Sequence, residues 1–139
     1  MSVKLEFDIL GGDFNLAGKA SSKIKKKLKQ LNIESAVVKR IVVATYEAEL
    51  NVVAHARSGK LIACFESDHI LVTVTDCGPG IENIEMAMEE GFSTASKKVR
   101  EMGFGAGMGL SNIKKNTDDL KIESKVGEGT TLSFKIYFA

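Results

Sequence analysis

Along the first ten residues Val3, Leu5, Phe7 and Ile9 alternate with polar side chains, the two-residue period of a half-buried strand, and Gly11-Gly12 ends the run. From Asp13, a residue suited to cap a helix, Phe14, Ala17, Ser21, Ile24, Leu28 and Leu31 recur at three-and-four spacing. Lys19, Lys23, Lys25, Lys26, Lys27 and Lys29 fall largely outside that stripe, which predicts an amphipathic helix with a basic outer face. A second helix opens at Glu34 or Ser35 and runs to about Ala56, apolar over most of its circumference and therefore expected to be mostly buried. Leu61 to Glu66 and His69 to Thr75 predict a hairpin around Ser67-Asp68. Residues 78–109 are glycine-rich with only a weak helical pattern around Ile84 to Met88, which predicts a long functional loop acting as a lid. Leu110 to Asn116 then suits a helix, and Leu120 to Val126 with Thr130 to Phe138 a second hairpin around Gly127-Glu128-Gly129.

The chain of 139 residues is 44% hydrophobic, enough for one domain with a sizeable core and too little for a second of comparable size, so a single domain over 1–139 is expected. With 19 lysines and arginines against 18 acidic residues, no overall attraction favours nucleic acid or an anionic membrane, and a small molecule or a protein is the expected partner. Neither a signal-peptide core nor an apolar run of membrane-spanning length occurs, which points to a cytoplasmic chain. Cys64 and Cys77 have neither a CxxC spacing nor neighbouring histidines, and buried free thiols are expected.

Three polar groups interrupt the apolar pattern. Glu47, Asn51 and His55 follow one another at four-residue steps and share one slowly drifting stripe of the second helix. A buried carboxylate and amide need partners, so the stripe either lines a cleft, meets a metal ion, or forms an interior hydrogen-bonded network. Asp76 ends an apolar strand just before Gly78-Pro79-Gly80, which sets its carboxylate beside backbone that a ligand can approach closely. Gly103, Gly105, Gly107 and Gly109 alternate and then open a helix, leaving N–H groups free at a positive helix end where a polyphosphate would sit. A hinge or a dinucleotide turn are the other readings, but no strand pattern precedes these glycines, and no Gly-Lys-Ser or Gly-Lys-Thr marks a P-loop.

In order, Glu47-x-x-x-Asn51, Asp76-Cys77-Gly78-Pro79-Gly80, Gly103-x-Gly105-x-Gly107-x-Gly109-Leu110 and Gly127-x-Gly129-Thr130 resemble the motifs of the gyrase, histidine kinase and mismatch-repair ATPase superfamily. Within it the chain resembles the bacterial anti-sigma-factor serine/threonine kinases, above all the switch kinases of the stressosome pathway, through Glu90 to Ala95 and Arg100 to Leu110. The resemblance implies an α/β two-layer sandwich, a mixed sheet with helices on one face, and a mobile ATP lid over about 82–106.

It also implies ATP and Mg²⁺ as cofactors, with Glu47 as catalytic general base and Asn51 as both nucleotide contact and metal ligand. Asp76 would accept a hydrogen bond from the adenine amino group, which selects ATP over GTP. Gly78, Gly80, Gly105, Gly107 and Gly109 would let backbone close on the nucleotide, Thr130 would contact it from the sheet, and Arg100 would reach the terminal phosphate. Val52, where related kinases often carry alanine, and the extra Arg57-Ser58 depart from the pattern without removing a ligand.

Two functions follow from the resemblance. One is a kinase that phosphorylates a serine or threonine of a STAS-domain antagonist protein, whose release then activates a downstream phosphatase in sigma-factor signalling. The other is an ATP-modulated anti-sigma factor that sequesters a sigma subunit by binding. Neither involves nucleic acid or membrane, and both are compatible with a homodimer.

Overall fold

A computed structural model describes residues 3–80 and 109–139. The lid at 82–106 and the weak helical pattern at Ile84 to Met88 lie outside the described residues, as do Arg100, Gly105 and Gly107. Among the described residues five strands form one sheet: β1 Val3–Leu10, β2 Ser58–Phe65, β3 His69–Asp76, β4 Asp119–Lys125 and β5 Gly129–Tyr137, in the order β1-β2-β3-β5-β4. Within the same residues three helices accompany them: α1 Lys19–Gln30, α2 Ser35–His55 and α3 Gly109–Asn116.

The sheet is antiparallel throughout rather than mixed. β1, β3 and β4 run one way and β2 and β5 the other, and the strand order interleaves the two sets so that no two neighbours share a direction. Alternation in each strand explains the single covered face. Leu61, Ala63 and Phe65 of β2, Ile70, Val72 and Val74 of β3, and Leu132, Phe134 and Ile136 of β5 are buried under the helices. The intervening Lys60, Thr75 and Tyr137 are exposed on the other side.

α2 lies across this face, against β1, β2, β3 and β5, with α1 and α3 packed beside it. Val38, Ile41, Ala44, Ala48, Val52 and Val53 seal it to the sheet and to α1. At the close approach of α2 to β2 only glycine fits, because a methyl group at Gly59 would come within 2.9 Å of Val52 Cγ1 and 3.0 Å of Thr75 O.

α1 begins at Lys19, five residues later than a helix capped by Asp13 would. Gly18 sits in the left-handed region at φ 96°, which an α-helix cannot contain, so Phe14 and Ala17 reach the core from a loop instead. No side chain of the local sequence caps α1. The cap comes from α2: the buried Glu49 carboxylate accepts the N–H groups of Ala20 at 3.1 Å and Ser21 at 3.3 Å. A carboxylate at this end satisfies two otherwise orphaned donors and opposes the positive helix terminus.

Both cysteines are free, but neither is sealed in the core. Cys64 is half-buried on the open side of the sheet, and Cys77 is exposed in the turn that follows Asp76, where the chain has already left the strand.

The turn between β4 and β5 uses two glycines at positive φ. Gly127 at φ 82° stands in open space, whereas a side chain at Gly129, φ 136°, would collide with the Asp76 carbonyl.

Candidate functional site

The polar stripe of α2 is not a sealed network. Glu47, Asn51 and His55 are each partly exposed, on the side of the helix that meets α3 and the end of β3. Eight residues separate Glu47 from His55, so the stripe is about 12 Å long.

At one end Gly109, the first residue of α3, lies against Glu47 and Asn51. A methyl group at Gly109 would stand 3.0 Å from Asn51 Oδ1 and 3.3 Å from Glu47 Oε2. Gly109, the last of the alternating glycines, therefore brings bare backbone up to a carboxylate and an amide oxygen, two hard donors of the kind Mg²⁺ takes. Half-burial pushes the Glu47 carboxyl above the ordinary carboxylate range, and a hydrogen bond from Asn112 of α3 works against that rise. The sequence pattern did not single out Asn112; its position three residues into the helix after the glycine run, beside the three-residue polar stripe of α2, is the signal that marks it.

At the other end Asp76 closes β3 opposite Thr130 of β5. Its Oδ1 accepts the N–H of Gly78 at 2.9 Å and that of Thr130 at 3.2 Å. Oδ2 has no hydrogen-bond partner among the described residues and remains available to a ligand. Burial raises the Asp76 carboxyl above its usual range; the Gly78 and Thr130 N–H groups and the nearby His55 oppose the rise. Burial in turn lowers the His55 imidazole, against the pull of Asp76. Thr130 Oγ1 pairs with Ser124 Oγ at 2.9 Å, which orients the hydroxyl from β4, another contact the motif did not reveal.

Gly80 adopts φ 80° against the backbone of Lys125, so the Asp76 turn is clamped to the end of β4. Gly78 packs against Ala56 at the end of α2. The structure thus brings Glu47, Asn51 and Gly109 together as one group and Asp76, Gly78, Gly80 and Thr130 as another, joined along α2 by His55. A cleft of about 500 Å³ opens past the second group, between His55, Arg57, Cys77, Pro79 and Glu128. It shares only its His55 and Gly78 edge with the stripe and does not reach Glu47, Asn51 or Asp76.

The chain has relatives among known proteins. The family described as histidine kinase-, DNA gyrase B-, and HSP90-like ATPase matches residues 31–139. The chain belongs to that ATPase family. The match holds every residue of both groups, while β1 and α1 precede it. An anti-sigma F factor of Clostridium acetobutylicum is 33% identical, over 71% of this chain and 69% of that protein. The serine/threonine-protein kinase RsbT of Bacillus subtilis is 31% identical, over 75% of each. In three dimensions the chain resembles a chain of the SiaB-SiaC complex of Pseudomonas aeruginosa, with a TM-score of 0.62 over 96% of this chain and 88% of that one. At 13% identity that likeness concerns the fold. No helix among the described residues of this ATPase-family chain is long and apolar enough to cross a membrane.

Proposed function

We propose that the chain is an ATP-dependent serine/threonine protein kinase that phosphorylates a STAS-type antagonist protein in the cytoplasm and switches partners in sigma-factor control. The observation that carries this reading is the close approach of Gly109 to both Glu47 and Asn51, which sets the first backbone of α3, a carboxylate and an amide oxygen around one point. Relatives named as a kinase and as anti-sigma F factors support the same reading.

When bound, Mg²⁺–ATP supplies the phosphoryl group and neutralises charge on its oxygens. Asn51 offers its amide oxygen to the metal. Asp76 Oδ2 accepts the adenine amino group, with Oδ1 already committed to Gly78 and Thr130. Glu47 takes the proton of the partner's hydroxyl, and its half-buried, upward-shifted carboxyl suits a base. Gly105, Gly107 and Arg100, outside the described residues, are assigned to the phosphates.

Single-turnover transfer to the cognate partner, with Mg-ATP titration beside it, tests the assignment. Glu47→Ala is expected to keep nucleotide affinity within a few-fold and slow transfer by roughly 10² to 10⁴. Asn51→Ala is expected to weaken Mg-ATP binding itself. Transfer at the wild-type rate by Glu47→Ala would remove the kinase mechanism. The anti-sigma reading, favoured by further relatives named anti-sigma F factor, would then stand, and co-purification of a sigma subunit without phosphotransfer would establish it.

A further inference from the structure

α1 carries 6 of the chain's 19 lysines and arginines and none of its 18 acidic residues. With a net charge of +1 for the whole chain, everything outside this helix sums to −5. Ala20, Ser21, Ile24 and Leu28 form the buried stripe of α1. At 100° per residue Lys19 and Lys26 fall almost opposite that stripe, with Lys23 and Lys29 about 60° to either side and Lys25 and Lys27 nearer the buried edge. All but Lys27 are exposed. None takes part in an ion pair among the described residues.

This clustering works against the helix. Lys19 and Lys23 stand four apart near the positive end, and Lys23, Lys26 and Lys29 follow at three-residue steps. Like charges at these spacings each cost a few tenths of a kcal/mol, and no neighbouring acid offsets them. The nucleotide site does not use the helix either, since α1 precedes the segment shared with the ATPase family.

We propose that the outer face of α1 docks an acidic helical face of another protein. Charge complementarity sets the chemistry: the Lys19-Lys23-Lys26 ridge spans about 10 Å and matches carboxylates spaced three and four residues apart on a partner helix. A second copy of this chain is a poor occupant, because among the described residues Glu6, Glu123 and Glu128 are already paired with lysines of their own chain and the exposed acids left over, Asp8 on β1, Glu34 before α2 and Asp119 on β4, are scattered over separate elements rather than ranged along one helix face. A bilayer is a poor occupant because the apolar face of α1 is sealed in the core and cannot enter acyl chains. The ridge has neither the arginine nor the aromatic side chains on which bases stack or are read. The proposal goes beyond the kinase reading and does not depend on Glu47.

The test uses the full chain and fluorescently labelled probes. One helical peptide carries glutamates in a stripe at three-and-four spacing; a second has the same composition with the glutamates spread around the helix. A 20-residue single-stranded oligodeoxynucleotide and phosphatidylserine vesicles complete the set. The striped peptide is expected to bind several-fold more tightly than the scattered one and more tightly than the oligonucleotide or the vesicles. The triple variant Lys19→Glu/Lys23→Glu/Lys26→Glu is expected to lose about tenfold or more in affinity for it, with ATP affinity unchanged and Tm unchanged or raised as the like-charge repulsion is relieved. The triple Lys→Arg variant is expected to retain it, and Lys→Gln replaces the reversal if the glutamate variant fails to fold. Equal binding of the two peptides, an unchanged Kd in the charge variants, or tighter binding to DNA or vesicles would overturn the proposal.

Discussion

The backbone N–H of Thr130 donates to Asp76 Oδ1 at 3.2 Å, joining the last residue of β3 to the second residue of β5 across 54 positions of sequence. Together with the N–H of Gly78 it fixes which oxygen faces inward. In Asp76→Asn the amide oxygen must take that inward role, which turns the NH₂ toward the ligand. An acceptor becomes a donor. ATP binding is expected to weaken by about 1.5–3 kcal/mol, roughly ten- to a hundredfold in Kd, and the preference over GTP to narrow, since guanine presents a carbonyl at the same position. Calorimetric titration with both nucleotides measures it; unchanged affinity would remove Asp76 from nucleotide recognition.

Gly109 is expected to separate function from folding. The atoms that Gly109→Ala would press on are the ends of the Asn51 and Glu47 side chains, which can move aside by rotating. Thermal stability should stay near wild type while Mg-ATP affinity and phosphotransfer both fall, as the two oxygens are pushed from their common point. Full activity in a folded variant would show that this contact is incidental.

Glu47 makes a pH-dependent prediction. Its carboxyl is raised in the folded chain, first by burial, so ionising it costs more folded than unfolded. The stability it contributes is complete below the unfolded carboxylate pKa and is lost as pH rises through the folded one. Glu47→Gln should therefore be more stable than wild type at pH 8, and the difference should close as pH falls into the carboxylate range. Urea denaturation of both proteins at a series of pH values reads it, and a constant difference would contradict the burial argument.

Glu49 is expected to matter for stability alone. Glu49→Ala leaves the N–H groups of Ala20 and Ser21 buried without acceptors and should cost about 2–4 kcal/mol. Glu49→Gln, which keeps an acceptor, should cost less. Denaturant midpoints at unchanged m-value test this, and nucleotide affinity near wild type in the folded fraction would separate Glu49 from its neighbour Glu47.

Much of this architecture was legible because each periodic run met the surface that its period required. α2 was bounded to within a residue by its apolar pattern, and both hairpins by alternation around polar turns. The start of α1 was not, since Phe14 and Ala17 extend a helical stripe through a loop that Gly18 keeps out of the helix. The mixed sheet was an implication of the resemblance: the two hairpins already called for antiparallel pairs, and alternation within a strand carries no information about how β1 meets β2 or β3 meets β5, both of which are antiparallel as well. The motifs located Glu47, Asn51, Asp76 and Thr130 along the chain. What they could not give were the residues that answer across space, namely Asn112 on Glu47, Ser124 on Thr130 and Glu49 on α1. Glu49 did leave a trace, a second carboxylate in α2 that lies off the stripe of Glu47, Asn51 and His55.

The two glycines of the last turn would have different histories in a diverging lineage. At Gly127 the left-handed backbone faces solvent, so asparagine, which tolerates that region, is an accessible replacement. At Gly129 the same drift is closed, because any side chain would strike the carbonyl of Asp76. Descendants of this chain can therefore change to a residue that tolerates the left-handed region on one side of Glu128, and on the other only at the cost of displacing the Asp76 end of β3.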